Sequence, residues 1–392
     1  MKKQLPTPRA LAALAGLGAL AVYILACAAF SPDDKKVLYP VFDGPAGRFA
    51  IACYDRVARR SEVIFAPVIA AGTNTNQSEA PMLRAEWLAD GKRVVVCWQG
   101  DDDDPWFRLV LMPCGGSGPV RYFQIPGKDF SSSIMLPPPI IGDLVFLGRA
   151  PNDLLRLDLR SGEVVTREAG KGDGDWLLYP SADGKGLLYL AENKPAKGYT
   201  FGRMDPETFG ATPILTITNP IEEAITFSPD RSGRRVVFAE NTGEVAHLVV
   251  EGVGQPATRF AVSPGPDRFR LGCTCFSRDG TVVFAAFERE EAGGGAALGL
   301  AEVPLHGGAV RETVLLHTAE FKKKKDDALM PFQFGFSHDG KAAAVSTTCL
   351  AGSTEGFRPQ DCALFFIDLT SNDRTVSRVP IPMPARQEQK GR

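Results

Sequence analysis

Phe227-Ser228-Pro229-Asp230-Arg231-Ser232-Gly233-Arg234-Arg235-Val236-Val237-Phe238-Ala239 is the stretch on which the fold turns. A short apolar run, Ala224–Phe227, leads into Ser228, Pro229, Asp230 and Gly233, and a second apolar run begins at Val236. Proline presets φ, aspartate bonds its own backbone and glycine accepts a positive φ, so the middle is a tight turn between two strands. Asn241-Thr242-Gly243 turns the chain again, and His247–Val250 and Thr258–Val262 supply two further strands. Four strands joined by three turns make a β-meander.

The phrase recurs along the chain. It reads Phe30-Ser31-Pro32-Asp33-Asp34, Trp87-Leu88-Ala89-Asp90-Gly91, Tyr179-Pro180-Ser181-Ala182-Asp183-Gly184, Phe276-Ser277-Arg278-Asp279-Gly280 and Phe336-Ser337-His338-Asp339-Gly340. The turn aspartates Asp33, Asp90, Asp183, Asp230, Asp279 and Asp339 are separated by 57, 93, 47, 49 and 60 residues. The gap of 93 is close to twice 47, so a degenerate copy belongs between Asp90 and Asp183. Pro139–Val165 fits that place, with Ile141-Gly142-Asp143, Leu144–Leu147 and Leu154–Leu159. Seven units of about 40–50 residues, each with several short strands, are what propeller blades require. Continuous apolar runs such as Val94–Trp98 and Thr281–Phe287 suit strands covered on both faces by neighbouring blades.

The expected fold is therefore all-β: a single seven-bladed β-propeller of four-stranded antiparallel blades over residues 31–382. One N-terminal apolar helix within residues 1–30 precedes it, and a polar tail, 383–392, follows. A radial fold must seal its ends. Thr375–Val379 is expected to close against the first blade, which is short of its innermost strand because the apolar segment ends where that strand belongs.

The wording of the repeats resembles the TolB-type, WD-repeat-like β-propeller family. Phe227-Ser228-Pro229-Asp230 with Val236–Ala239, Phe276-Ser277-Arg278-Asp279-Gly280 with Val282–Ala285, and Phe336–Lys341 carry the likeness. Leu155-Arg156-Leu157-Asp158 and Phe365-Phe366-Ile367-Asp368 are similar to that family's strand-then-Asp ending. Leu111-Met112-Pro113-Cys114-Gly115-Gly116 and Val303-Pro304-Leu305-His306-Gly307-Gly308 are similar to its Gly-Gly turn. The resemblance covers nearly all of residues 30–380 and implies the fold; its motifs are turns and core, and imply no activity.

Composition agrees. A chain of 392 residues with 40 Gly and 30 Pro suits one turn-dense all-β domain. Charged residues make up 23% and the formal net charge is −2, so there is no basic face for a nucleic-acid partner. Lys322–Lys325 is followed at once by Asp326 and Asp327, a solvated loop.

Lys2, Lys3 and Arg9 precede Ala10–Phe30, an uncharged apolar segment of 21 residues. That length spans a bilayer as a helix, and the basic flank holds the N-terminus in the cytoplasm, so the remainder is expected to be exported. Three fates stay open. The segment is long enough for a retained anchor, Ala26-Cys27-Ala28 offers a cleavage site of small residues, and Ile24-Leu25-Ala26-Cys27 resembles a bacterial lipobox that would lipidate Cys27. The expected address is the outer face of a bacterial cytoplasmic membrane, with soluble periplasmic and lipoprotein forms as alternatives.

Seven cysteines follow Cys27, an odd number, so at least one is free or pairs between molecules. Cys349 and Cys362 flank the loop Leu350–Asp361 of blade seven and are the expected disulfide, closing a long loop at its base. Cys97 and Cys114 lie in neighbouring strands of blade two in poorer register. Cys273 and Cys275 share one strand face and are expected to be buried small hydrophobes.

Candidate chemistry is sparse. Asp101-Asp102-Asp103-Asp104 at a loop tip gathers carboxylates, but adjacent side chains diverge, and a repelling, solvated tip is expected rather than a Ca²⁺ site. The turn aspartates are explained by turn geometry. No nucleophile elbow, zinc-protease helix, phosphate loop or dinucleotide fingerprint occurs, and none of the four histidines has a nucleophile at a telling spacing. No catalytic residue, metal or cofactor is expected. The expected function is a non-enzymatic scaffold of the cell envelope, binding an envelope protein or small ligand through rim loops such as Asp101–Asp104, Thr73–Ser78 and Gly352–Pro359. The alternative is an enzyme, lactonase-like or sugar-modifying and metal-dependent, with its site at the central channel. It requires carboxylates, His or Asn converging there, and a channel lined by apolar and small residues would count against it.

Overall fold

The structure is a computed structural model. It describes residues 28–43, 48–67, 83–99, 106–115, 118–127, 138–149, 153–168, 173–181, 184–193, 198–217, 227–242, 245–262, 269–292, 295–318, 334–346 and 363–380. Ala10–Cys27, Thr73–Ser78, Asp101–Asp104, Lys322–Lys325, Cys349 and Cys362 lie outside the described residues.

Seven separate four-stranded antiparallel sheets form, each from contiguous chain. Blade one is β1 Ala29–Phe30, β2 Lys36–Asp43, β3 Arg48–Asp55 and β4 Arg60–Phe65; blade two is β5 Leu83–Trp87, β6 Arg93–Gln99, β7 Trp106–Pro113 and β8 Arg121–Pro126. The degenerate unit is a full blade three: β9 Ile140–Ile141, β10 Leu144–Arg149, β11 Asp153–Asp158 and β12 Val164–Glu168. Blade four is β13 Asp173–Pro180, β14 Leu187–Asn193, β15 Gly198–Met204 and β16 Ala211–Ile217; blade five is β17 Phe227–Pro229, β18 Arg235–Thr242, β19 Val245–Gly252 and β20 Gln255–Ala261. Blade six is β21 Phe269–Phe276, β22 Val282–Glu290, β23 Ala296–Pro304 and β24 Arg311–Thr318; blade seven is β25 Gly335–Phe336, β26 Ala342–Ser346, β27 Ala363–Asp368 and β28 Val376–Pro380.

The apolar runs are the second strands. Val94–Cys97, Val283–Phe287 and Ala342–Val345 are buried on both sides of their sheets, because each blade is sandwiched between two others. The fourth strands form the outer wall, and most of β20 is exposed. Sheet-on-sheet packing thus supplies a ring of apolar layers rather than one central core.

The repeated phrase is the turn from first to second strand. The same N–H to C=O bond closes it in six blades: Asp34 to Ser31, Gly91 to Leu88, Gly184 to Ser181, Gly233 to Asp230, Gly280 to Ser277 and Gly340 to Ser337. The donor always sits at positive φ, from 58° to 74°, which is why glycine recurs there. Blade one has no glycine in its phrase; Asp34 occupies the left-handed position instead, at φ 58°.

Two expectations about the ring are corrected. Blade one does not lack its innermost strand: Ala29 and Phe30 pair with Leu38 and Val37, and Ala28 is buried against Gly335 of blade seven. The last residues of the apolar segment therefore belong to the propeller. Nor does the C-terminal strand close on blade one. β28 pairs with β27 of its own blade, Leu364 opposite Val379. The ring closes by packing and polar links. Asp34 accepts from the backbone N–H of His338 (2.7 Å) and of Asp339 (3.0 Å), Ser346 Oγ donates to Pro40 O (3.2 Å), and Phe366 packs on Phe30 and Tyr54. An apolar face covered by another apolar face needs no shared strand.

Candidate functional site

Each first strand starts on one face of the disc, and the Asp-centred turns all lie on the opposite face. This turn face is stitched from blade to blade. Arg93 joins Asp143 of blade three (3.0 Å), Arg156 donates to Pro206 O of blade four (3.1 Å), and Arg203 donates to Ser232 O of blade five (3.2 Å). Arg278 donates to His338 O, and Arg374 of blade seven grips Glu302 of blade six with two bonds of 2.7 Å. The turn aspartates serve their own turns. Asp33 and Asp339 accept from Ser31 and Ser337 hydroxyls, Asp90 from the backbone of Lys92 and Arg93, and Asp279 from Ser277 and Thr281. A structural role for these residues is what turn geometry implies.

One cleft opens on this face between blades five and six, with a volume of about 510 Å³. Three turns build its walls: Asp230–Arg235, the β19–β20 turn through Val253, and Arg278–Gly280. Asp230 is 5% exposed and accepts from Ser232 Oγ, from the backbone N–H of Arg234 and Arg235, and from Arg235 Nε at 2.9 Å. Burial opposes its ionisation, but those donors prevail and hold its carboxyl below the usual range. Asp279 is likewise lowered, first by the Ser277 hydroxyl. Arg235 spends its remaining reach on Gly280 O (3.0 Å) and on the Phe276 ring, 5.0 Å away. Arg231 and Arg234 are exposed and form no ion pair among the described residues. The cleft thus carries committed carboxylates and uncommitted guanidinium groups, a surface for planar anions.

The inner strands enclose a second space, about 210 Å³, between blades four to seven. Tyr179, Phe227, Phe284, Leu300, Phe334 and Phe336 supply most of its wall, with Ser228, Cys273, Thr274 and Cys275 completing it. The hydroxyls are occupied: Tyr179 donates to Phe227 O (2.6 Å) and Ser228 to Thr274 O. Burial pushes the Cys275 thiol up to about 12 and raises the Tyr179 phenol as well. Cys273 and Cys275 are half-buried cavity-lining residues rather than enclosed core. A bulge between Leu271 and Thr274 turns this stretch towards the cavity. Among the described residues, no three His, Cys, Asp or Glu side chains converge as metal ligands would.

Two carboxylates elsewhere are raised to about 7 by burial: Glu86 of β5 and Glu288 of β22. They stand on different blades and form no acid–base pair. Cys97 and Cys114 do not approach each other, since Cys97 is opposite Leu109 while Cys114 lies beyond the far end of β7, and they join different apolar layers. Sequence reasoning missed both the arginine cleft and the true neighbour of Cys114, which is Cys53. The arginines are visible within two turn phrases, but nothing local says that the two turns share a wall.

No protein-family model matches the chain, and no curated protein does. Solved structures do. KlAtg21, solved in complex with the coiled-coil of AgAtg16, is 11% identical with a TM-score of 0.55, covering 91% of this chain and 98% of that one. A prolyl endopeptidase is 13% identical with a TM-score of 0.50, covering 82% of this chain but 46% of that one. TolB from Acinetobacter baumannii is 14% identical over 85% of this chain and 76% of that one, with a TM-score of 0.43. The chain has the seven-bladed β-propeller fold. At such identities the likeness is one of fold alone.

Proposed function

We propose that this protein is a non-enzymatic binding scaffold of the bacterial cell envelope. It is exported, tethered to the cytoplasmic membrane by its N-terminal apolar segment, and takes a carboxylate-bearing protein partner in the cleft between blades five and six. The cleft carries the binding reading: Arg231 and Arg234 offer unused donors beside carboxylates already committed to internal bonds. Guanidinium groups with free forks are suited to carboxylates on a partner surface. The basic flank and uncharged run of the first thirty residues support the tether. Burial of Ala28 at the start of β1 is consistent with a tether on the starting face, on the side opposite the turn face and its cleft. The aromatic wall of the inner cavity and its committed hydroxyls favour a scaffold over a hydrolytic channel.

Crosslinking in intact envelopes, followed by purification and mass spectrometry, tests the proposal. A stoichiometric partner is expected, lost in the double variant Arg231→Glu, Arg234→Glu while that variant keeps the β-sheet circular dichroism and melting temperature of the parent. Retention of the same partner by the folded double variant would remove the cleft from the account. Protease digestion of spheroplasts checks the address: the propeller should be cut from outside the cytoplasmic membrane.

A further inference from the structure

Cys53 sits in β3, two residues before the strand ends, and Cys114 directly follows β7 of the next blade. Their sulfurs lie 3.4 Å apart across the interface of blades one and two, in contact but not bonded. Both side chains are buried, 3% and 8% exposed. Each is held from behind: Cys53 is in register with Leu38 and Glu62, and the Cys114 N–H donates to Lys92 O at 2.9 Å. Gly115 follows Cys114 directly, with Lys36 Nζ and Glu62 Oε1 beside it.

We propose that Cys53 and Cys114 form a disulfide that staples blade one to blade two in the exported protein. The oxidation rests on the export reading above; the juxtaposition does not. A sulfur–sulfur bond is about 2.05 Å, so closure asks for a movement of about 1.3 Å shared between two side chains. The oxidant is a protein or small-molecule disulfide. The thiolate of one cysteine attacks one of its sulfurs, forming a mixed disulfide and expelling one thiolate. The other thiolate then attacks the sulfur of the first and expels the second. Two thiols lose two protons and two electrons, and the oxidant leaves as two thiols. The contact between the two sulfurs lowers the Cys114 thiol against the effect of burial, with the Lys36 ammonium adding to it, and the same contact raises Cys53. Exchange takes place as the two blades dock, before burial closes off the two side chains.

The test is alkylation with N-ethylmaleimide followed by non-reducing peptide mapping of the full chain. One sample comes from envelopes, a second from reduced protein refolded in a glutathione redox buffer. A Cys53–Cys114 peptide in both samples is the expected result. A reducing agent should then lower the melting temperature of the parent by on the order of 5 °C more than that of the double variant Cys53→Ala, Cys114→Ala. Formation in the glutathione buffer but free thiols in the cell-made protein would uphold the pair and overturn export. Alkylatable Cys53 and Cys114 after refolding in oxidised glutathione would overturn the disulfide, whatever the address of the protein.

Discussion

Replacing Asp230 with Ala removes more than a turn residue. Its carboxylate accepts from Ser232 Oγ, two backbone N–H groups and the guanidinium of Arg235, whose other arm holds Gly280 O of blade six. The Asp230 side chain is 6% exposed and that of Arg235 is 29% exposed. Removing one partner of a buried pair costs about 3–5 kcal/mol, and the partial exposure of Arg235 lets water recover some of this, so about 3 kcal/mol is expected for Asp230→Ala. Asp279→Ala loses similar bonds at an exposed turn and should cost about 1 kcal/mol. Urea unfolding followed by tryptophan fluorescence measures both. The pH dependence supplies a second reading. The Asp230 carboxyl is lowered in the folded protein, so its stabilisation is complete above the unfolded carboxylate value near 3.9 and is lost as pH falls through the lower folded one. The gap between the parent and Asp230→Ala should therefore narrow as pH falls through the folded value. Equal costs for Asp230→Ala and Asp279→Ala, or a gap between parent and variant that ignores pH, would refute the assignment of Asp230 as the pin between blades five and six.

Glu86, raised to about 7 by burial, is destabilising when ionised. Its folded value lies above the unfolded one, so stability falls as pH rises from about 4.5 to 7, by up to about 3 kcal/mol at about 1.4 kcal/mol per pH unit. Glu86→Gln should match the parent at pH 4 and exceed it at pH 8 in thermal melts. Gly299 and Gly202 sit at matching bulges, where a Cβ would meet Thr313 O at 2.2 Å and Thr212 O at 2.4 Å. Ala at either position is expected to cost about 2 kcal/mol or more, read as a lowered melting temperature and poorer soluble yield. Asp34→Gly keeps the left-handed turn but drops the two bonds to blade seven. Hydrogen exchange should accelerate in blades one and seven and stay unchanged in blade four.

What the sequence disclosed is local. The turn phrase marks six blades, and the degenerate seventh is recoverable because Ile141-Gly142-Asp143 falls near the middle of a doubled gap. What it concealed is lateral. The Cys53–Cys114 contact spans 61 residues and the Asp34–His338 contact 304, and both depend on how one sheet is laid on the next. Strand alternation says which face a side chain occupies, not which residue of the neighbouring blade it meets. The boundary near Phe30 is hard to read in the sequence for a simpler reason. Ala28, Ala29 and Phe30 are apolar, and a membrane segment and a propeller layer ask for the same residues.

Because every sheet is assembled from one uninterrupted stretch, the ring suits synthesis from the N-terminus. Blade one can complete its ladder before any of blade seven has been translated, and no strand is left waiting for a distant mate. The costly loop closure is deferred to a single late event, the docking of the seventh blade on the first. Until then, Phe30, Tyr54 and their neighbours present an uncovered apolar wall to any chaperone or second nascent chain. A circular permutant opened at another turn would carry that vulnerable wall to a different pair of blades.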